Sequence, residues 1–211
     1  MKNLTFIFLL NLLVSSSLFA QVSIGIKAGG ALSGHTIEGV TQGEGEYKPT
    51  YLGAIFVSVP LSDKFSLQPE VLYINKGIQS GIPGFIQRNN LHYVNIPIML
   101  QYYVLDKLVV ELGPEFGYLL SAGDNSGFVI TNTPSFDDQL LASYRDLDIA
   151  LNLGVGYALS DRWSVNVRYN FGLYDISDDF TFSFGGQDEP VLYSNSTYNR
   201  SVQLSVSCRI F

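Results

Sequence analysis

Two histidines are the first residues to weigh for chemistry: His35 lies in a polar stretch, Ser33 to Thr50, and His92 opens an apolar-rich segment. A histidine held beside a serine and an acid can serve as general base to a nucleophile. Ser and Asp residues surround both, but no local motif fixes a nucleophile to a base, so surface histidines are the expectation. Asp175, Asp178, Asp179, Asp188 and Glu189 offer oxygen ligands. They lack the spacing and the glycine of a calcium loop and read as a solvated acidic stretch. Asn195-Ser196-Thr197 has the form of a glycosylation acceptor, a weak three-residue pattern that presupposes a eukaryotic secretory route. No catalytic residue, cofactor site or metal site is therefore expected, and no enzymatic activity.

The remaining charges carry more information, because Lys27, Glu70, Glu111, Glu115, Asp148, Arg168 and Arg209 recur at alternate positions of apolar-rich segments. The clearest segment runs from Asp146 to Tyr174. Leu147, Ile149, Leu151, Leu153, Val155, Tyr157 and Leu159 form one face of a strand, and Asp148, Ala150, Asn152, Gly154, Gly156 and Ala158 the other. After Ser160-Asp161-Arg162, a tight turn, Trp163, Val165, Val167, Tyr169, Phe171 and Leu173 alternate with Ser164, Asn166, Arg168, Asn170 and Gly172. Strands of soluble domains average about five or six residues, whereas a tilted strand crossing a bilayer needs about nine to eleven. The hairpin has membrane length.

The same unit repeats. Strands are expected over Val22 to Leu32, Tyr51 to Val59, Phe65 to Asn75, Leu91 to Val104 and Leu108 to Leu120, then the two of the hairpin, then Tyr198 to Ile210. Tyr51 to Val59 is apolar on both faces, so its orientation stays undecided. The connections alternate: long loops at Ser33 to Thr50, Gly77 to Asn90, Ala122 to Arg145 and Asp175 to Thr197, and tight turns at Pro60 to Lys64, Leu105 to Lys107 and Ser160 to Arg162. An even strand number with short turns on one rim and long loops on the other describes an eight-stranded antiparallel up-and-down transmembrane β-barrel of the outer-membrane type, an all-β fold. Periplasmic turns and four extracellular loops follow if the amino terminus starts in the periplasm.

Composition and the amino terminus agree. Gly (20), Tyr (13) and Phe (14) are abundant, charged residues make up only 15%, and the net charge of −7 leaves no basic patch for nucleic acid. Lys2, the apolar run Leu4 to Val14 and small residues up to Ala20 form a signal peptide, residues 1–20, cleaved after Ala20, ahead of a barrel domain over 21–211. Cys208 is the only cysteine, so no internal disulfide holds the exported chain. No later apolar run is long enough for a membrane helix, and a closed barrel is the other way to satisfy every backbone amide in lipid.

An eight-stranded interior is filled by its own side chains. On the seven strands of assigned phase no charged residue is expected on the apolar face, and Lys27, Glu70, Glu111, Glu115, Arg168 and, nearer the periplasmic rim, Arg209 are expected to pair inside the lumen as a structural network, with a proton or ion path as the functional alternative. Phe65 and Trp163 follow tight turns, while Tyr73, Tyr118 and Phe171 lie near the opposite strand ends, positions for two interfacial aromatic girdles. A lipocalin-like soluble barrel with its apolar face inward has the same periodicity and remains the alternative fold.

The segments LSDKFSLQPEVLYINKG (Leu61 to Gly77), YVNIPIMLQYYV (Tyr93 to Val104) and GVGYALSDRWSVNVRYNFGL (Gly154 to Leu173) resemble the PorT-like outer-membrane β-barrel proteins. The resemblance implies an outer-membrane barrel and, for the founding type, a part in protein secretion across that membrane; it transfers no catalytic residue. Such barrels usually end on an aromatic in the outward phase, a position held here by Ile210, with Phe211 one beyond. The expected partners are the outer-membrane lipid bilayer, the barrel-assembly machinery during biogenesis, and secretion-system proteins or an extracellular ligand at the loops. A lipid-modifying enzyme at the outer rim is the remaining class.

Overall fold

The computed structural model describes residues 22–37, 46–82, 85–124, 144–178, 180–182, 191–193 and 196–211. The expected signal peptide, most of the third loop, and Asp179, Asp188, Glu189 and Asn195 lie outside them.

Eleven strands are present among the described residues: β1 (Ser23–Ile37), β2 (Glu46–Pro60), β3 (Phe65–Lys76), β4 (Ile78–Ile82), β5 (Phe85–Leu105), β6 (Leu108–Asp124), β7 (Leu147–Ala158), β8 (Trp163–Gly172), β9 (Phe180–Phe182), β10 (Val191–Tyr193) and β11 (Thr197–Arg209). One antiparallel sheet runs β1-β11-β8-β7-β6-β5-β3-β2, and β1 also pairs with β2, from Ser23↔Ser58 to Ser33↔Lys48, which closes the ring. β4 pairs with β2 and β5 on the same sides as β3 does, so β3 and β4 are one stave interrupted at Gly77. The result is a closed barrel of eight staves, as the alternation of turns and loops predicts.

Side-chain phase follows the pleat. Ile26, Ile55, Val71, Leu112, Leu153, Val167 and Leu204 all face outward, while Lys27, Glu70, Glu111, Glu115 and Arg168 are 5% exposed or less inside. The apolar face is the outer wall, so the lipocalin-like arrangement does not hold. β2, undecided from sequence, is fixed by its pairing with β1: Tyr51 and Ile55 face out, and Leu52, Ala54 and Phe56 face in. Its inner face is apolar because Leu52 and Ala54 pack with Leu72, Ile74, Leu91, Tyr93 and Leu119 in a dry layer at the loop end of the lumen.

The loops are shorter than expected because the strands run on past the apolar wall. β1 extends to Ile37, and β5 spans 21 residues. Gly77 to Asn90, expected as a loop, is largely strand, β4 pairing with the start of β5 from Gln79↔Arg88 to Ile82↔Phe85. Beyond the lipid neither face of a strand needs to be apolar, so the alternation that marks the wall fades there while the backbone ladder continues. Gly77, at φ 127°, makes the break: a Cβ on it would lie 2.0 Å from Asn89 O.

Candidate functional site

The lumen holds the concentrated chemistry, arranged in two polar layers. The first lies toward the turn end. Lys27 Nζ meets Glu70 Oε1 at 2.6 Å, Arg168 Nη2 and Nη1 reach Glu70 Oε1 and Oε2 at 2.9 and 3.3 Å, and Arg168 Nε reaches Glu111 Oε1 at 2.9 Å. Gln68 donates to Glu70 Oε1 at 2.9 Å and Gln101 to Glu111 Oε2 at 3.2 Å. Two cations balance two anions, and the amides occupy acceptor sites the cations leave. That is how a buried ionic group offsets the cost of leaving water.

The second layer is built on Lys76. Its Nζ donates to Asp148 Oδ2 at 2.8 Å, Glu115 Oε1 at 3.2 Å and Asn170 Oδ1 at 3.4 Å. Asn152 and Asn95 donate to the two oxygens of Glu115, and Asn199 to Asp148 Oδ2 at 2.8 Å. Lys76 takes the place expected for Arg209. Arg209 is instead exposed at the turn-end mouth, where the lumen widens. The signal for Lys76 was its phase, two residues on from Ile74, just beyond the expected strand end at Asn75. Lys48, expected in a loop, is also buried: its ammonium donates to Asn75 Oδ1, Asn90 Oδ1 and the carbonyls of Lys76 and Asn89, at 2.8 to 2.9 Å, tying β2 to the end of β3 and to β5 beside the Gly77 break.

The two ends of the lumen differ. At the turn end a cavity of about 390 Å³ is lined by Gln68, Gln101, Tyr103, Asn166, Ser207 and Arg209 among others, with Asp106, Lys107 and Asp161 at the turns. It exists because β7 presents Gly156 and Ala158 there, too small to fill the space. The lumen is thus not packed along its whole length. At the loop end Ile176, fully buried, sits on the dry layer beside Tyr144. The segment after β8 is held over the mouth by Ile176 N to Thr197 O at 2.8 Å and Arg145 N to Ile176 O at 2.9 Å. Asp175 Oδ1 accepts from Ser177 N, Ser177 Oγ and Thr197 N at 3.0, 2.7 and 2.8 Å. Burial pushes the Asp175 carboxyl up, but these donors outweigh it and hold the group below the usual carboxylate range.

The histidines do not meet. His35 is buried inside β1, its ring 6.2 Å from that of Tyr144, whereas His92 lies on the outer side of β5 with Nδ1 2.7 Å from Tyr73 Oη. The wall separates them. All five expected girdle residues face outward: Phe65, its ring tilted 39° against that of Tyr102 at 5.0 Å, and Trp163 at the turn end; Tyr73, Tyr118 and Phe171 toward the loops. One charge does fall in the outward phase, against expectation. Arg200 lies over the Phe171 ring at 3.9 Å and donates to Gly172 O at 2.6 Å, near the loop-end limit of the wall, where a guanidinium is tolerated by its aromatic and carbonyl neighbours.

The pattern of the family described as "Outer membrane protein beta-barrel domain" matches residues 19–178. This chain belongs to that family. As an outer-membrane barrel it presents its apolar wall to lipid, and the polar layers are its interior. Neisserial surface protein A superposes with a TM-score of 0.56 at 11% identity, over 90% of this chain and 99% of that one. Ail, the attachment invasion locus protein of Yersinia pestis, gives 0.46 at 9% over 89% and 99%, and outer membrane protein W of E. coli 0.41 at 16% over 89% and 97%. At 11% identity the likeness to Neisserial surface protein A is one of fold. A search of curated proteins returns no match.

Proposed function

We propose that this outer-membrane barrel is a non-catalytic, non-conducting scaffold, exported through a signal peptide cleaved after Ala20, that holds its loop-end hairpins at the cell surface to contact a partner. The reading rests on the filled axis: the Arg168 and Lys76 layers and an apolar cluster that includes Leu72, Ile74, Leu91 and Leu119 occupy the lumen, with Ile176 packed against that cluster. An ion moving along the axis would have to break the Arg168 bridge and then pass the buried Lys76 bridges and the apolar cluster beside them, each step costing several kcal/mol. Specificity then belongs to the extensions beyond lipid, such as β4 with the start of β5. The test is purified protein in a planar bilayer, together with labelling of intact cells at a cysteine placed at Gln79. Silence in the bilayer and labelling from outside are expected; stepwise conductance overturns the reading.

A second reading, an accessory part in secretion of the PorT type, is favoured by the turn-end cavity. A mouth open to the periplasm and rimmed by Asp106, Lys107, Asp161 and Arg209 could seat a periplasmic component. Unchanged export of other proteins in a deletion strain disposes of it. A rim-active lipid enzyme has little to build on with its two histidines on opposite sides of the wall. Alanine at His35 and His92 is expected to leave lipid composition unchanged.

A further inference from the structure

Arg200 stands half-buried in the outward phase of β11, ahead of Val202, Leu204 and Val206, which line the outer wall. From Cys208 to Arg200 this strand runs against β8 from Trp163 to Phe171, a stretch of about nine residues, the length a tilted strand needs to cross a bilayer. Trp163 belongs to the turn-end girdle and Phe171, the register partner of Arg200, to the loop-end girdle. Arg200 therefore lies at the level where hydrocarbon gives way to lipid headgroups.

Its side chain is held in place. The guanidinium carbon lies 3.9 Å from the centre of the Phe171 ring and 5.8 Å from that of Tyr198, and Nη1 donates to Gly172 O at 2.6 Å and to Asn199 O at 3.0 Å. Those bonds use one nitrogen of the three. Lys27, Lys76 and Arg168 inside the lumen each meet a carboxylate. Among the described residues no carboxylate lies within ion-pair distance of Arg200, and Nε and Nη2 have no acceptor. A snorkelling arginine extends along its own strand toward water, whereas this one reaches sideways over β8.

We propose that Arg200 binds the phosphate of a membrane lipid in the leaflet at the loop end, the outer leaflet on the orientation given above. Phosphate is the anion a bilayer supplies at this depth, and the edge formed by Nε and Nη2 matches two of its oxygens as a planar fork. Pinning of Nη1 and stacking on Phe171 fix that fork before the lipid arrives, which lowers the ordering cost of binding. The acyl chains then lie along the outward Val202 and Leu204.

The test uses purified protein in detergent, so its outcome is independent of orientation in the cell and of conductance. Phosphatidic acid and diacylglycerol with the same acyl chains are titrated separately, and bound lipid is counted by native mass spectrometry. The wild-type protein is expected to hold phosphatidic acid about tenfold more tightly than diacylglycerol, the effect of one charge-assisted contact. Arg200→Gln is expected to lose that preference while keeping the compact, unboiled gel band. Equal binding of the two lipids by the wild type, or an undiminished preference in Arg200→Gln, overturns the proposal. Inorganic phosphate is the third arm: if it competes as strongly as phosphatidic acid, the site takes free anions and the lipid assignment falls. Should Arg200→Gln fail to fold, the Nε–H resonance of Arg200 in the wild-type protein decides. It is expected to shift with phosphatidic acid and not with diacylglycerol, and a resonance that does not distinguish the two lipids overturns the proposal.

Discussion

Arg168 and Glu70 face each other across the full width of the barrel: β8 and β3 lie on opposite sides of the eight-stave ring, yet Nη2 and Oε1 are 2.9 Å apart. A guanidinium long enough to cross the lumen, and planar enough to serve Glu70 with two nitrogens and Glu111 with a third, acts as a crossbar. Arg168→Met leaves Glu111 buried with no cation and is expected to destabilise the barrel by about 3 to 5 kcal/mol. Arg168→Met with Glu111→Gln leaves the balanced pair Lys27 and Glu70 and is expected to recover much of that loss. Urea titrations of the folded band for both variants check it; an unchanged midpoint for the single substitution refutes the crossbar.

Gly77 allows the stave to bend between β3 and β4. Gly77→Ala places a methyl against Asn89 O and forces a side chain into a left-handed backbone region, at a cost of about 1 to 3 kcal/mol. Since the strain falls at the base of the β4 hairpin, faster proteolysis within residues 78–89 is expected before any loss of the compact gel band.

The outer wall admits a direct test at Val167, half exposed and in the same strand as the inward Arg168. Val167→Arg puts a cation into lipid and is expected to cost about 2 to 4 kcal/mol in refolding into bilayers. The same substitution at Leu61, in a turn, is expected to cost little. Equal losses at both sites would contradict the placement of the wall.

The cap over the loop end is tied by Asp175. Its carboxyl is depressed in the folded chain, so the tie is fully present above the ordinary carboxylate value, about 4, and is lost only as pH falls through the lower folded value. Hydrogen-exchange protection of the Thr197 amide is therefore expected to hold from pH 7 to pH 4 and to drop below that. Asp175→Ala is expected to remove the protection already at pH 7.

The staves were legible because lipid on one side and ions on the other force a strict alternation, as at Val167 and Arg168. Where that contrast is missing the sequence carries no such mark. β2 carries Leu52 and Ala54 inward against a dry layer, so its two faces looked alike. Lys48 and β4 lie where both faces are polar, and there the alternation of Gln79 and its neighbours with strand geometry has no hydropathic mark. Arg209 has the inward phase of Ser207 and the expected place near the turn-end rim, but its strand ends at the open mouth, where it is exposed and not part of the two lumen charge layers. Arg200 has the outward phase of Val202 and is carried by Phe171, a neighbour set by register and not by sequence distance. The turn-end cavity depends on what Gly156 and Ala158 do not fill, which a list of charges cannot reveal.

β1 is joined on one edge to β2, which follows it directly, and on the other to β11, the last strand of the chain, over 13 matched residues from Gly25 to Ile37. Until those final residues emerge, the growing ribbon therefore carries two raw edges, with unmet amides and carbonyls that hydrocarbon will not accept. Insertion and seam formation are in this way one event, and the carboxy-terminal segment is its latch: a chain shortened by that segment would reach the periplasm as a sticky, unclosed ribbon and not as a smaller barrel.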